Sequence, residues 1–257
     1  MSFVITGLWS FALILVRLSG LFAAAPLFSS VLISAKTKIG IAIFLSIFLA
    51  AALPTPNISM SNPDVALPAV AGEFVVGLLL GFGFRLAMTA AMIAGELVGL
   101  QMGLGAASLI DPSSGQNAAL MGNFYSLAFT VLFVSFDGHH HLLRVLNESF
   151  RTMPLAGSKG IIPPIEQIIR QSGETLIHGC RLAAPVLIPL VMLTLASAWV
   201  SRIFPQANML TVSYGISMFV GMLLLAASVP ALGGAMWDSI QQADRYAMRV
   251  LRALSSA

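Results

Sequence analysis

Three groups of residues in this sequence are of types that do chemistry. They are a run of histidines, His139, His140 and His141; two carboxylates set in apolar stretches, Glu73 and Glu96; and one thiol, Cys180. Histidines invite a metal, yet successive residues on a helix point about 100° apart, so three consecutive imidazoles do not readily converge on one ion. No metal is assigned to them; following Asp137 and Gly138, they are expected to cap or solvate the end of the preceding helix. A single cysteine excludes an internal disulfide and a cysteine metal cage. No nucleophile stands beside a base, and no zinc-helix signature or phosphate loop occurs at a workable spacing. Ser108 and the scattered histidines do not make a catalytic set, so the expectation is a protein that is not an enzyme and holds no cofactor.

An ionised carboxylate in an apolar segment is costly unless it is paired, hydrated or protonated. For Glu73 and Glu96 this leaves two readings: structural pairing or a place near a helix end, and a proton relay. Glu96 lies 11 residues from Arg85, which is roughly 16 Å along a continuous helix and too far for direct contact. Arg17, the third charge within an apolar segment, is expected to snorkel or to pair with another subunit.

Gly77 and Gly81, and then Gly95, Gly99 and Gly103, follow each other at four-residue intervals. Such stripes let another backbone approach closely, and the partner is either a helix of this chain or a neighbouring subunit. The segment Gly103–Gln116, GLGAASLIDPSSGQ, is the most irregular part of the apolar sequence. Gly103, Gly105 and Ser108 loosen the chain, Leu109 and Ile110 form an apolar pair, and Asp111, Pro112, Ser113, Ser114 and Gly115 carry turn chemistry. Irregular backbone at membrane depth survives only where protein or a water-filled cavity satisfies it. The loop is therefore a pore constriction or an extracytoplasmic turn.

The elements that must position these residues follow from composition. The 257 residues are 58% hydrophobic and 9% charged, against roughly 25% charged in an ordinary soluble domain. That argues against a freely soluble enzyme. No charge interrupts 18–35, 39–63, 112–136, 182–201 or 203–237, and runs of about 18 or more residues can cross hydrocarbon. The expected fold is an all-α polytopic membrane protein of helical hairpins, with segments near 3–22, 39–54, 66–84, 86–109, 118–136, 182–201 and 209–236. Lys36 with Lys38, Arg85 and the stretch 202–208 are expected breaks. The region 137–181 holds amphipathic stretches, with Leu142, Leu143, Val145, Leu146 and Phe150 near helical spacing and Ile165, Ile168, Ile169, Leu176 and Ile177 repeating it. Residues 238–257 form a tail helix, and 1–257 reads as one integral membrane domain. Basic residues accumulate in the cytoplasm; Lys36, Lys38, Arg85, the 137–181 region and the tail at Arg245, Arg249 and Arg252 favour a seven-segment layout with its N-terminus outside. A net charge of +3 gives no sign of nucleic acid binding.

Four pieces in order carry a family resemblance: RLSGLFAAAPLF at 17–28 followed by Lys36; GELVGLQMGLGAASLIDPSSGQN at 95–117; FDGHHHLLRVLNESFRTMP at 136–154; and APVLIPLVMLTLASAWVSRIFPQANML at 184–210. Together they resemble the type III secretion export-gate family over nearly the whole chain. The resemblance implies a FliP-like unit fused to a FliQ-like unit, completing a spiral of hairpins with several copies of those two partners. It implies a FlhB-like switch protein around the cytoplasmic side, and passage of unfolded flagellar proteins through a central channel in the bacterial inner membrane at the flagellum basal body. Much of such an assembly sits above the membrane plane, so seven formal spans need not be seven crossings. The loop Gly103–Gln116 would contribute to a plug closing the channel, with Leu109 and Ile110 as its apolar seal. An injectisome counterpart is one alternative. An ion-coupled small-molecule transporter using Glu73 or Glu96 is another, but it calls for inverted repeats and a midplane site that the sequence does not display.

Overall fold

The computed structural model describes residues 2–29, 34–53, 63–104, 120–157, 164–203 and 209–255. Among these residues all regular structure is helical: α1 (Ser2–Ala24), α2 (Pro26–Ser29), α3 (Ala35–Ala52), α4 (Pro63–Gln101), α5 (Leu120–Ser135), α6 (Gly138–Thr152), α7 (Ile165–Ile203) and α8 (Met209–Ser255). The all-α polytopic expectation holds, but the break at Arg85 and the segment boundaries near 182 and 236 do not. Segment 66–84 and residues 86–101 are one helix, because Arg85 points outward from α4 and an exposed arginine is a good helix former. The second amphipathic stretch runs without a break into 182–201 as α7, and the tail continues 209–236 as α8. Among the described residues five helices are long and apolar enough to cross a membrane, or six if α5 and α6, bent by 69° at their junction, count as one span. Seven segments is therefore an overcount.

Local chemistry accounts for the helix ends. Ser34 caps α3, its hydroxyl accepting from the Thr37 N–H at 3.3 Å. At the end of α4, Gly103 takes φ +78°, its N–H donates to the Leu100 carbonyl at 3.0 Å, and the Leu104 N–H donates to the Gly99 carbonyl at 3.0 Å. This paired 5→2 and 6→1 bonding with glycine in the left-handed region closes the helix and satisfies its last carbonyls.

The chain divides into two compact units. The first comprises Met1–Leu86, Asp137–Gln171 and Ile240–Ala257. Its core draws Leu13, Ile14, Leu18 and Leu21 from α1, Val76, Leu80 and Phe84 from α4, and Ala243, Tyr246 and Val250 from α8. The amphipathic helix α6 adds Leu142, Val145, Leu146, Ser149 and Phe150, a stripe at helical spacing. Leu143 falls off that stripe and stands 39% exposed. The second unit comprises Ala87–Phe136 and Ser172–Ser239. Its core combines Ala90, Ala94 and Val98 of α4, Tyr125, Phe129 and Phe133 of α5, and Leu182, Ala183, Val186 and Leu190 of α7.

In the second unit α4 meets α5 through glycine. A Cβ on Gly95 would collide with the Met121 carbonyl and lie 2.9 Å from the Gly122 Cα, whereas one on Gly99 would meet only the Met121 side chain, at 3.1 Å. Backbone cannot retreat and a methionine side chain can. Gly95→Ala should therefore lower the thermal midpoint of the detergent-purified protein by several degrees. Gly99→Ala should leave it within a degree or two, since alanine's helix propensity, worth about 1 kcal/mol over glycine, offsets the tighter contact. Equal midpoints for the two variants would show that α4 and α5 are not in backbone contact at Gly95.

Candidate functional site

The most highly constrained cluster of polar groups lies in the first unit, around Arg17 of α1 and Glu73 of α4. Both side chains are wholly buried, and Arg17 Nε donates to Glu73 Oε2 at 2.5 Å. The rest of the guanidinium is also spoken for. Nη1 donates to Ser149 Oγ at 3.1 Å, Nη2 donates to the Met153 carbonyl at 3.2 Å, and the Phe150 ring centroid lies 4.3 Å from Cζ. Ser149 can accept because its own proton goes to the Leu146 carbonyl at 2.6 Å. The second carboxylate oxygen, Glu73 Oε1, accepts from the Ala156 N–H at 3.0 Å. Ala156 sits at φ 63°, in the left-handed region that a β-carbon disfavours. The carboxylate thus holds the turn after α6 in a conformation it would not choose alone.

Sequence reasoning expected Arg17 to snorkel or to reach another subunit; the structure pairs it within its own chain, 56 residues away. Helix spacing explains how the pair forms. Glu73, Gly77 and Gly81 lie four residues apart on one ridge of α4. A Cβ on Gly77 would strike the Arg17 carbonyl, and one on Gly81 would lie 2.6 Å from the Leu21 carbonyl and 2.8 Å from the Ala24 Cβ. From the other side, a Cβ on Gly20 of α1 would strike the Phe74 carbonyl. Glycine on both helices brings the backbones together, and the ion pair sits at one end of that seam. The four-residue step from Glu73 to Gly77 was a readable signal of this arrangement. Ser149, Phe150, Met153, Ala156 and Gly20 were not singled out, because nothing in their local sequence marks them.

The other expected site residues lie elsewhere. Glu96 is exposed on α4, its Cγ 3.0 Å from where a Cβ on Gly122 would sit. Gly103 ends α4 with its Cα against the Tyr214 ring, and Gly221 faces the Met102 side chain. Gly105, Ser108, Leu109, Ile110, Asp111, Pro112, Ser113, Ser114 and Gly115 lie outside the described residues.

Taken together these features define an integral membrane scaffold whose buried charges are committed to holding helices together. The chain belongs to the bacterial export proteins, family 1, whose family model matches residues 8–243. It is similar to the flagellar biosynthetic protein FliR of Pectobacterium carotovorum subsp. carotovorum, at 31% identity across 84% of this chain and 83% of that protein. It is also similar to FliR of Escherichia coli (strain K12), at 28% identity across 85% and 83%, and to FliR of Bacillus subtilis (strain 168), at 28% identity across 84% of each.

The pair can be tested by a mutant cycle. Removing one member of a buried ion pair strands the other and typically costs about 3–5 kcal/mol, while replacing both with apolar side chains is far milder. Arg17→Met and Glu73→Met should each sharply reduce recovery of folded protein, and the double variant should regain a large part of it in thermal unfolding. A double variant no more stable than either single one would mean that the two charges do not act as a pair.

Proposed function

We propose that this chain is a noncatalytic component of the flagellar type III export gate, sharing with FliP-like and FliQ-like subunits the wall of an inner-membrane channel for unfolded flagellar proteins. The observation that carries this reading is the apolar surface the chain leaves uncovered. Within the chain only 11% of the apolar stretch Ala35–Ala52 is buried, with 17% of an 18-residue apolar window in α7 and 22% of one in α8. Ile39, Phe44, Ile47 and Phe48 stand open along α3, and Ile188, Met192, Leu195 and Trp199 along α7. The lower part of α7 is equally telling, for Ile165, Ile169, Leu176 and Ile177 are exposed while Gln171 and Thr175 are buried. An apolar face on a segment that also carries Glu166, Arg170 and Glu174 suits cover by another polypeptide better than cover by lipid alone. A FlhB-like protein on the cytoplasmic side fits that lower face.

Closure is assigned, on the family resemblance, to the loop after Gly103, with Leu109 and Ile110 as the apolar seal that yields to a passing chain. The described part of the structure supports the anchoring of that loop: Gly103 stops α4 firmly, and Tyr214 packs on it. The transporter alternative loses one of its two candidates, since the Glu73 carboxylate is buried and engaged by Arg17 and Ala156.

Deleting residues 109–115 should leave recovery of the large detergent-stable complex unchanged while raising the ion conductance of the resting membrane. Unaltered conductance in cells that contain the assembled deletion complex would reject the closure role. Purification of the intact chain as a functional monomer would reject the channel reading altogether.

A further inference from the structure

At the 69° corner between α5 and α6, Asp137 occupies the N-cap position of α6 with φ 56° and ψ 31°. An aspartate there ordinarily accepts a hydrogen bond from the first turn of the helix. The Asp137 carboxylate makes no such capping bond. It turns instead toward two imidazoles, with Oδ1 at 3.3 Å from His140 Nδ1 and 3.9 Å from His139 Nε2. All three ligand atoms lie within 4.8 Å of one another, and the two rings are 4.3 Å apart at an interplanar angle of 39°. The third histidine of the run is elsewhere: His141 Nδ1 is 2.8 Å from Asp244 Oδ2. Three consecutive imidazoles cannot share an ion, but here the left-handed aspartate replaces the third.

We propose that Asp137 Oδ1, His139 Nε2 and His140 Nδ1 form a binding site for a borderline divalent transition cation, with zinc as the reference ion. In a tetrahedral zinc site with ligands near 2.0–2.1 Å, neighbouring ligand atoms are about 3.3 Å apart. The edge from Asp137 to His140 already has that length, and the other two close through rotation of the partly exposed rings, the 3.9 Å edge from Asp137 to His139 by about 0.6 Å to reach that length. Two imidazoles and one carboxylate suit zinc, cobalt, nickel or copper and disfavour magnesium and calcium, which take oxygen ligands. With side chains 38%, 63% and 68% exposed, the ion enters from solvent and keeps a fourth position for water or a ligand from another subunit. Bound, it ties the residue before α6 to the first turn of α6.

The test uses cobalt, whose visible absorption reports tetrahedral ligation, titrated into the purified gate complex carrying the full chain and then displaced by zinc. The expected result is one cobalt per copy of this chain, with affinity reduced about tenfold or more by Asp137→Asn, His139→Gln or His140→Gln and unchanged by His141→Gln. Asparagine tolerates the left-handed backbone, so the Asp137 variant keeps the corner while losing the anionic ligand, and complex recovery verifies folding. Absence of the absorption, or affinity indifferent to Asp137→Asn, would overturn the site and leave only a chance pair of surface histidines.

Discussion

Arg17 and Glu73 have no contact with water, so whatever touches them must bring polar groups to fixed places. The guanidinium requires acceptors in a plane, and it finds them in a carboxylate, a hydroxyl and a carbonyl contributed by two separated stretches of chain. Helix α6 meets this demand only in one rotation, the one that aims Ser149, Phe150 and the Met153 carbonyl at the same point. Leucine, valine and alanine on the surrounding faces would tolerate a slide by a turn; the ion pair would not. Buried ion pairs add little net stability compared with apolar replacements. What this one contributes is choice of register among helices whose apolar surfaces are nearly interchangeable.

Glycine makes that choice geometrically available. Apolar surroundings weaken the hydrophobic drive for helices to associate, so close packing and polar contacts must carry more of the work. Gly77 and Gly81 on α4 and Gly20 on α1 remove the side chains that would hold the two backbones apart. Each tight contact is against backbone rather than a flexible side chain, so the seam has no slack. Gly95 and Gly122 repeat the device in the second unit, between α4 and α5. A single helix thus uses the same four-residue glycine step twice, once beside a buried charge and once without one.

Much of this was readable in advance and some was not, for identifiable reasons. Apolar runs located every long helix, and the spacing of Leu142, Val145, Leu146 and Phe150 located the buried face of α6. Arg85 misled because a charge was taken as a boundary, whereas a helix interrupted by one outward-facing arginine loses nothing. Ile165, Ile169, Leu176 and Ile177 were correctly seen as an apolar face, but periodicity says which residues share a face and not whether that face is covered by its own chain. The partner of Arg17 was hidden for a related reason: two residues separated by 56 positions meet only through tertiary packing. The convergence of Asp137 with His139 and His140 depended on a positive φ that no spacing rule reports.

The same separation between inner and outer faces bears on how the helices relate to a membrane. The apolar stretch of α4 runs over 36 residues, about 54 Å of helix against a hydrocarbon layer of about 30 Å. Lipid alone cannot sheath that length, and 56% of an 18-residue apolar window within it is buried in the chain. The helices α3, α7 and α8 have apolar stretches with far less internal burial. A chain that lived by itself in lipid would show the opposite economy, with its longest apolar helix tilted or shortened to match the bilayer. Here the overlong helix is fixed by an ion pair and a glycine seam in the first unit and by a second glycine seam in the other, while α3, α7 and α8 leave greasy faces uncovered. Such uncovered faces suit a protein that works with other export components, which can lie against them.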